Sequence, residues 1–246
     1  MKRWKWSLLL GICLLSASFI IYFLHYRIFG DLHFILFRGL ASLAFVPIQG
    51  LVVTLIIAEL FVIMSRRSKM QKMNMVIGAF FSELGTELLR FLYLADPQAM
   101  QLRQTVEAAG DLSAKELKIL LKKLESYAFK VRLDRGNLVP LRDLLTSRRT
   151  FMVRLLENPS LLENERFTDM LWAVFHMTEE LDARENLESV PDSDLDHMMG
   201  DMTRSYRNLF REWLSYMKHL HDNYPFLYSF AMRTSPIEPE RQVEVV

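Results

Sequence analysis

Cysteine, glycine and proline are scarce in this chain of 246 residues, which holds one cysteine, nine glycines and eight prolines. A single cysteine excludes an intramolecular disulfide and a zinc site built on several cysteine ligands. No long alternation of apolar and polar residues occurs, and no Asn-Gly or Asp-Gly turn separates β-branched runs, which argues against a β-sheet. Leu, Met, Glu, Lys and Arg are abundant instead, and these residues favour helices. We therefore predict an all-α fold.

Charge is absent from two long stretches near the start of the chain. Residues 6–24 form nineteen uncharged positions, and residues 39–58 form twenty. At about 1.5 Å of rise per residue, a helix over either stretch covers roughly the 30 Å hydrocarbon core of a bilayer. The sequence thus predicts a transmembrane hairpin over residues 1–65, with spans at about 6–28 and 39–64.

Basic residues flank this hairpin on both sides. Three precede the first span, and a second group, expected to face lipid headgroups, follows the second span. Because Lys and Arg are retained on the cytoplasmic side, we expect both termini and the main domain to be cytoplasmic. The localisation predicted is the inner membrane of a bacterium or archaeon. The two groups are Lys2, Arg3 and Lys5, and Arg66, Arg67, Lys69 and Lys72.

A cleavable signal peptide is the alternative reading of the first span. The basic start and the small residues Ser16, Ala17 and Ser18 suit such a peptide. The apolar run continues to Leu24, however, which is long for a signal peptide and the right length for a span. An uncleaved anchor is therefore favoured. Cys13 lies within it and is expected to be an inert apolar residue.

The rest of the chain is acidic. Residues 73–246 hold 21 Lys and Arg against 27 Asp and Glu, a net charge of −6. Nucleic-acid binding needs cations that neutralise phosphates, so we predict no nucleic-acid partner. The partners expected are the lipid bilayer and a protein, either a second copy of the chain or another one. The segments predicted are a juxtamembrane helix at 66–96, a cytoplasmic helical domain at 97–234 and a flexible tail at 235–246.

Within the cytoplasmic domain, apolar periodicity and helix breakers predict several helices. Ser113 and Glu116 have the spacing of a capping box at the start of one of them. The last two helices are long and joined by a short link, so we expect them to be antiparallel neighbours. The helices predicted cover about 98–109, 113–129, 140–157, 161–187 and 194–223.

Polar residues in the second span suggest one alternative function. Pro47 is expected to kink the helix, Gln49 to hydrogen-bond to a neighbouring helix, and Glu59 to mark a functional site by its charge. Glu59 lies only seven residues before Arg66, so it can reach the cytoplasmic interface. The alternative is an oligomeric channel or transport component.

Two histidine–acid pairs suggest a second alternative. His176 and Glu180 are four residues apart, as are His197 and Asp201, so each pair shares a helix face. Imidazole and carboxylate groups are metal ligands, and the alternative is a metal-binding helical-bundle enzyme. Ordinary helix salt bridges are the simpler reading, and we predict no cofactor.

The most distinctive stretches of the C-terminal part are residues 151–159 (FMVRLLENP), 167–176 (FTDMLWAVFH), 212–220 (EWLSYMKHL) and 224–230 (YPFLYSF). Through these stretches the chain resembles an uncharacterised family of prokaryotic membrane proteins with two N-terminal spans and a helical C-terminal domain. This resemblance implies an architecture and no activity. No nucleophile elbow, Walker loop or dinucleotide fingerprint is present. We predict a membrane-anchored helical interaction or scaffold protein that self-associates or binds a partner.

Overall fold

The protein is predominantly helical in the part that the computed structural model describes, which is residues 2–108, 113–159, 161 and 164–238. No strand is present in these residues, so the predicted all-α fold is confirmed. The α-helices are α1 (Lys2–Phe29), α2 (Leu32–Phe80), α3 (Thr86–Leu94), α4 (Ala99–Glu107), α5 (Ala114–Glu125), α6 (Leu138–Ser147), α7 (Arg149–Leu156), α8 (Glu165–Asp182), α9 (Asp192–Asn223) and α10 (Pro225–Arg233).

The first of two compact units, Met1–Arg66, holds α1 and the N-terminal part of α2. Gly30 makes the turn between them with a φ of 64°, a left-handed conformation that glycine adopts without strain. Asp31 then caps α2 by accepting a hydrogen bond from the Phe34 amide at 2.9 Å. Both helices contain stretches long and apolar enough to cross a membrane, and none of the most apolar part of either is buried.

The second unit, Arg67–Val246, begins with the C-terminal part of α2. A π-helical turn, Phe81–Gly85, joins α2 directly to α3. Gly85 leaves room here for two buried rings, because an added Cβ would lie 2.6 Å from Phe80 Cε1 and 2.7 Å from Phe81 Cδ1.

Gly78, near the end of α2, allows a close approach to α9. A Cβ added at Gly78 would lie 3.2 Å from the hydroxyl of Tyr216. The same tyrosine ring stacks on Phe81, with 5.2 Å between ring centroids. The end of α2 and the C-terminal half of α9 are therefore fitted together by one aromatic side chain.

The core of the second unit is built around α8 and α9, which pack as antiparallel neighbours. Arg166 near the start of α8 lies 4.0 Å from Glu212 of α9, and Arg184 just after α8 lies 2.7 Å from Asp194 at the start of α9. Between these ends the facing side chains are buried. They include Phe167, Met170, Leu171, Val174, Leu181, Met198, Met202, Tyr206, Leu209 and Phe210.

Helix α5 ends earlier than the apolar periodicity predicts. The capping box at Ser113 and Glu116 is present, with both of its hydrogen bonds, but α5 ends at Glu125 instead of about residue 129. Tyr127 donates a hydrogen bond to Asp96 Oδ2 at 2.7 Å, and the ring of Phe129 packs within the core. Tertiary packing thus overrides local helix propensity here.

Other boundaries also differ from the prediction, including those of α8, which covers Glu165–Asp182 instead of about 161–187. The helix expected over 140–157 is two helices, α6 and α7, that meet at Arg148, whose Nε donates to the carbonyl of Glu83 at 3.0 Å. After α9, Pro225 begins α10, a separate helix that the sequence pattern did not predict.

The start of the predicted flexible tail is packed. Ser235 and Ile237 are buried, and Glu238 binds back to the unit through two arginines. Its carbonyl accepts from Arg90 at 2.8 Å, and its carboxylate lies 3.1 Å from Arg103. Residues 235–238 thus contact the second unit, the flexibility of this segment stays a prediction, and residues 239–246 lie outside the described part of the chain.

Candidate functional site

The four residues predicted as metal candidates come together where α8 faces α9. His176 Nε2 lies 3.9 Å from Glu180 Oε1 on its own helix and 3.6 Å from Asp201 Oδ2 on the other. His197 Nε2 lies 3.5 Å from the same Asp201 Oδ2. The spacing of four within each pair places both members on one helix face, and the antiparallel packing of the helices brings the two faces together.

Asp201 lies at the centre of this group and is 7% exposed. Its Oδ1 lies 2.9 Å from the guanidinium of Arg204. Its Oδ2 is buried and has no hydrogen-bond partner among the described residues. The side chains of His176 and His197 are 51% and 60% exposed, so the group is open to solvent on the imidazole side.

Arg184 holds the neighbouring carboxylates. It pairs in a bidentate manner with Asp194, at 2.7 Å for each hydrogen bond, and its third nitrogen donates to Glu180 Oε2 at 2.8 Å. These hydrogen bonds lower the pKa of Glu180 and of Asp194 below the ordinary carboxyl values, and they raise the pKa of Arg184. The site therefore combines two anions fixed by one arginine with a third carboxylate that faces two imidazoles.

The possible ligand atoms of these four residues do not surround a common point. In the described residues, no group of three or more His, Cys, Asp or Glu side chains is arranged to hold a metal ion. Each imidazole approaches Asp201 separately, and Glu180 is held by Arg184. Metal ligation by these residues therefore remains a prediction.

The polar residues of the second predicted span all lie on α2. Pro47, Gln49 and Glu59 have exposed side chains, and the helix continues as an α-helix through Pro47. Thr54 Oγ1 donates to the carbonyl of Gly50 at 2.7 Å, so its hydroxyl is satisfied within the helix. A role of Pro47, Gln49 and Glu59 in a solute path stays a prediction.

The basic residues that follow this segment are also on α2. Arg66, Lys69 and Lys72 are exposed, and the side chain of Arg67 lies outside the described part of the structure. Contact between these residues and lipid headgroups remains a prediction.

Sequence reasoning missed the arginines that organise the site. Arg184 follows Glu180 by four residues, and Arg204 follows Asp201 by three, so helix spacing alone could have identified both pairs. The bidentate pair of Arg184 with Asp194 crosses the loop between α8 and α9, and no local spacing rule gives that contact.

Comparison with known proteins connects this architecture to a family with two helical parts. A family model described as "MJ1433, N-terminal helical domain" matches residues 1–61, and one described as "Uncharacterized protein MJ1433, C-terminal helical domain" matches residues 69–233. The chain belongs to the MJ1433 family. The predicted resemblance to an uncharacterised family is thereby confirmed.

A full-length relative in the MJ1433 family extends the match across nearly the whole chain. The uncharacterized protein MJ1433 of Methanocaldococcus jannaschii is 39% identical over 234 residues, which cover 95% of this chain and 94% of that protein. No solved structure matches the chain. The comparisons indicate no catalytic function.

Proposed function

We propose that this member of the MJ1433 family is a membrane-anchored interaction protein. In this proposal α1 and the N-terminal part of α2 span the inner membrane of a prokaryotic cell, and the second unit lies in the cytoplasm. The second unit then associates with another protein, which we take to be a second copy of the chain, because closed homo-oligomers are the commonest assemblies.

The exposed apolar surface of the first unit carries the membrane part of this proposal. Leu15, Phe19 and Leu40 are each exposed by 70% or more, and the most apolar stretch of each helix has no buried residue. A buried core helix of a soluble protein does not have this pattern. Each Å² of apolar surface left in water costs about 25 cal/mol, and the hydrocarbon of a bilayer removes that cost.

Charge supports the orientation. The basic residues before α1 and those that follow the apolar part of α2 favour the cytoplasmic side, whereas the turn at Gly30 and Asp31 is short enough to face outward without a folded domain.

An exposed apolar face on α10 supports the interaction part. This helix rests on the core through Tyr228 and Ala231. Phe226 and Phe230 lie on the opposite side and are 71% and 49% exposed, and Leu227, beside the contact face, is 42% exposed. Such a concentration on a nine-residue helix is typical of a surface that another molecule covers.

The membrane part is tested by extraction and by cysteine labelling. We expect the protein to stay in the membrane pellet after alkaline carbonate treatment. In a Cys13→Ser background, Asp31→Cys should react with an impermeant maleimide on intact cells. Ser193→Cys, at the start of α9, should react only after the cells are opened. Release by carbonate, or the reverse labelling pattern, would contradict the proposal.

The interaction part is tested by native mass spectrometry of the detergent-solubilised protein. We expect an oligomer for the wild type and monomers for the double variant Phe226→Ser/Phe230→Ser. Trp172→Ser is the matched control, because Trp172 is a similarly exposed aromatic residue on α8. A wild-type monomer, or an oligomer that the α10 variant leaves intact, would refute self-association through α10.

A further inference from the structure

Asp201 Oδ2 is a buried carboxylate oxygen that lacks a hydrogen-bond partner in the described chain, and it faces two imidazole nitrogens. Burial of a carboxylate oxygen is unfavourable unless a hydrogen-bond donor or a cation compensates it. Arg204 compensates only the other oxygen. The group therefore has a place for a positive charge beside Oδ2, on the side where both imidazoles are half exposed.

Each of the two distances to Oδ2 is longer than a direct hydrogen bond. The two Nε2 atoms are 3.6 and 3.5 Å away, whereas hydrogen bonds between nitrogen and oxygen are ordinarily about 2.7–3.2 Å. Taken singly, each pair has the separation expected of two ligands that lie about 2.1 Å from one ion at an angle of about 115°, close to the tetrahedral geometry of zinc sites.

We propose that His176, His197 and Asp201 bind one divalent transition-metal ion, of the Zn²⁺ and Co²⁺ class, which joins α8 to α9. Two imidazoles and one carboxylate favour such ions over Mg²⁺ or Ca²⁺, which prefer all-oxygen ligands. Water completes the coordination, because the imidazole side faces solvent. Glu180 stays with Arg184 and supports the site without ligating the ion.

Metal binding requires one local adjustment. The three donors are not gathered around one point in the described structure, so at least one imidazole must turn about its side-chain torsions. Both rings are more than half exposed and can turn without displacing core residues. Asp201, which is buried, already points its free oxygen toward both.

This site does not depend on the membrane or interaction role. It lies within the second unit and ties together the two helices that form its core. A metal ion there would stabilise the folded state, since binding that is specific to the folded protein adds to its stability.

The test is metal titration of the purified full-length protein, prepared without a polyhistidine tag and stripped with a chelator. We expect one Co²⁺ per chain, detected by its visible absorption, and its displacement by Zn²⁺. His176→Ala and His197→Ala should each weaken binding by at least about tenfold, the loss seen even for outer-shell partners of metal sites. At a fixed concentration, Zn²⁺ should raise the melting temperature of the wild type by more than that of either variant.

The matched control is His221→Ala, which removes another histidine of α9. That residue lies twenty positions from Asp201, about 30 Å along the helix, beside Asp222, and its replacement should leave Co²⁺ binding unchanged. Asp201→Asn should abolish Co²⁺ binding. If that variant does not fold, the two variants of the half-exposed histidines still test the site. Failure of the wild type to take up Co²⁺, or undiminished affinity after removal of either imidazole, would overturn the proposal.

Discussion

Replacement of Gly85 by alanine should destabilise the second unit. The added Cβ would lie 2.6 Å from Phe80 Cε1, whereas ordinary contacts begin near 3.4 Å, so an atom must move by about 0.8 Å. Neither ring can move freely. Phe80 is fully buried and packs edge-to-face on Phe167 with 5.5 Å between centroids, and Phe81 stacks on Tyr216.

The size of the effect follows from two opposing contributions. Overpacking of a core costs about 1–3 kcal/mol, and the required displacement places this case in the upper half of that range. The higher helix propensity of alanine offsets about 1 kcal/mol of this cost. The expected loss is therefore about 1–2 kcal/mol, or roughly 2–8 °C in melting temperature for a unit of this size.

The assay is thermal denaturation of the full-length protein in detergent, followed by circular dichroism. Gly200→Ala is the matched control, because Gly200 lies on an exposed face of α9 and has no atom within 4 Å of an added Cβ. That variant should be more stable by about 0.5–1 kcal/mol. A Gly85→Ala protein as stable as the control variant would refute the packing argument.

Three further predictions concern helix ends and charge. Ser113→Ala should remove the capping box of α5 and lower the unfolding free energy by about 1 kcal/mol, measured by urea denaturation at neutral pH, and an unchanged midpoint would contradict it. Arg184 lowers the pKa of its two carboxylate partners, so their stabilisation is present above about pH 4 and is lost as the pH falls through the lower folded values. Wild-type stability should thus fall more steeply below pH 4 than that of Arg184→Gln. Parallel curves of stability against pH would argue against stabilisation by these Arg184 ion pairs. Burial lowers the pKa of His219, so the folded state favours the neutral imidazole. The resulting contribution to the unfolding free energy is present above about pH 6.5 and declines as the pH falls. His219→Gln should flatten the stability profile between pH 7 and 5, and an unchanged slope there would refute this assignment.

Local sequence signals gave the helices that depend on local interactions. The capping box at Ser113 and the apolar periodicity of α8 and α9 each act within a few residues, and each has its counterpart in the structure. The end of α5 depends on Asp96 and on the core around Phe129, which are distant in sequence or in other helices. No local pattern encodes such contacts, so that boundary was misplaced.

The candidate site was predicted in part for the same reason. Helix spacing identified His176 with Glu180 and His197 with Asp201, but each pair was found alone. Their convergence requires the antiparallel register of α8 and α9, which tertiary packing sets. The burial of Asp201 Oδ2 could not be read from the sequence either, because a polar residue four positions from a histidine is ordinarily on a solvated face.

The fit of Gly78 against Tyr216 links two positions that are 138 residues apart in the chain. With 3.2 Å between the tyrosine hydroxyl and an added Cβ, any side chain at 78 competes for the space of that one oxygen atom. The residues at positions 78 and 216 should therefore covary among relatives. Relatives with alanine or serine at 78 should carry phenylalanine or a smaller residue at 216. A change at either position alone should be rarer than the paired exchange.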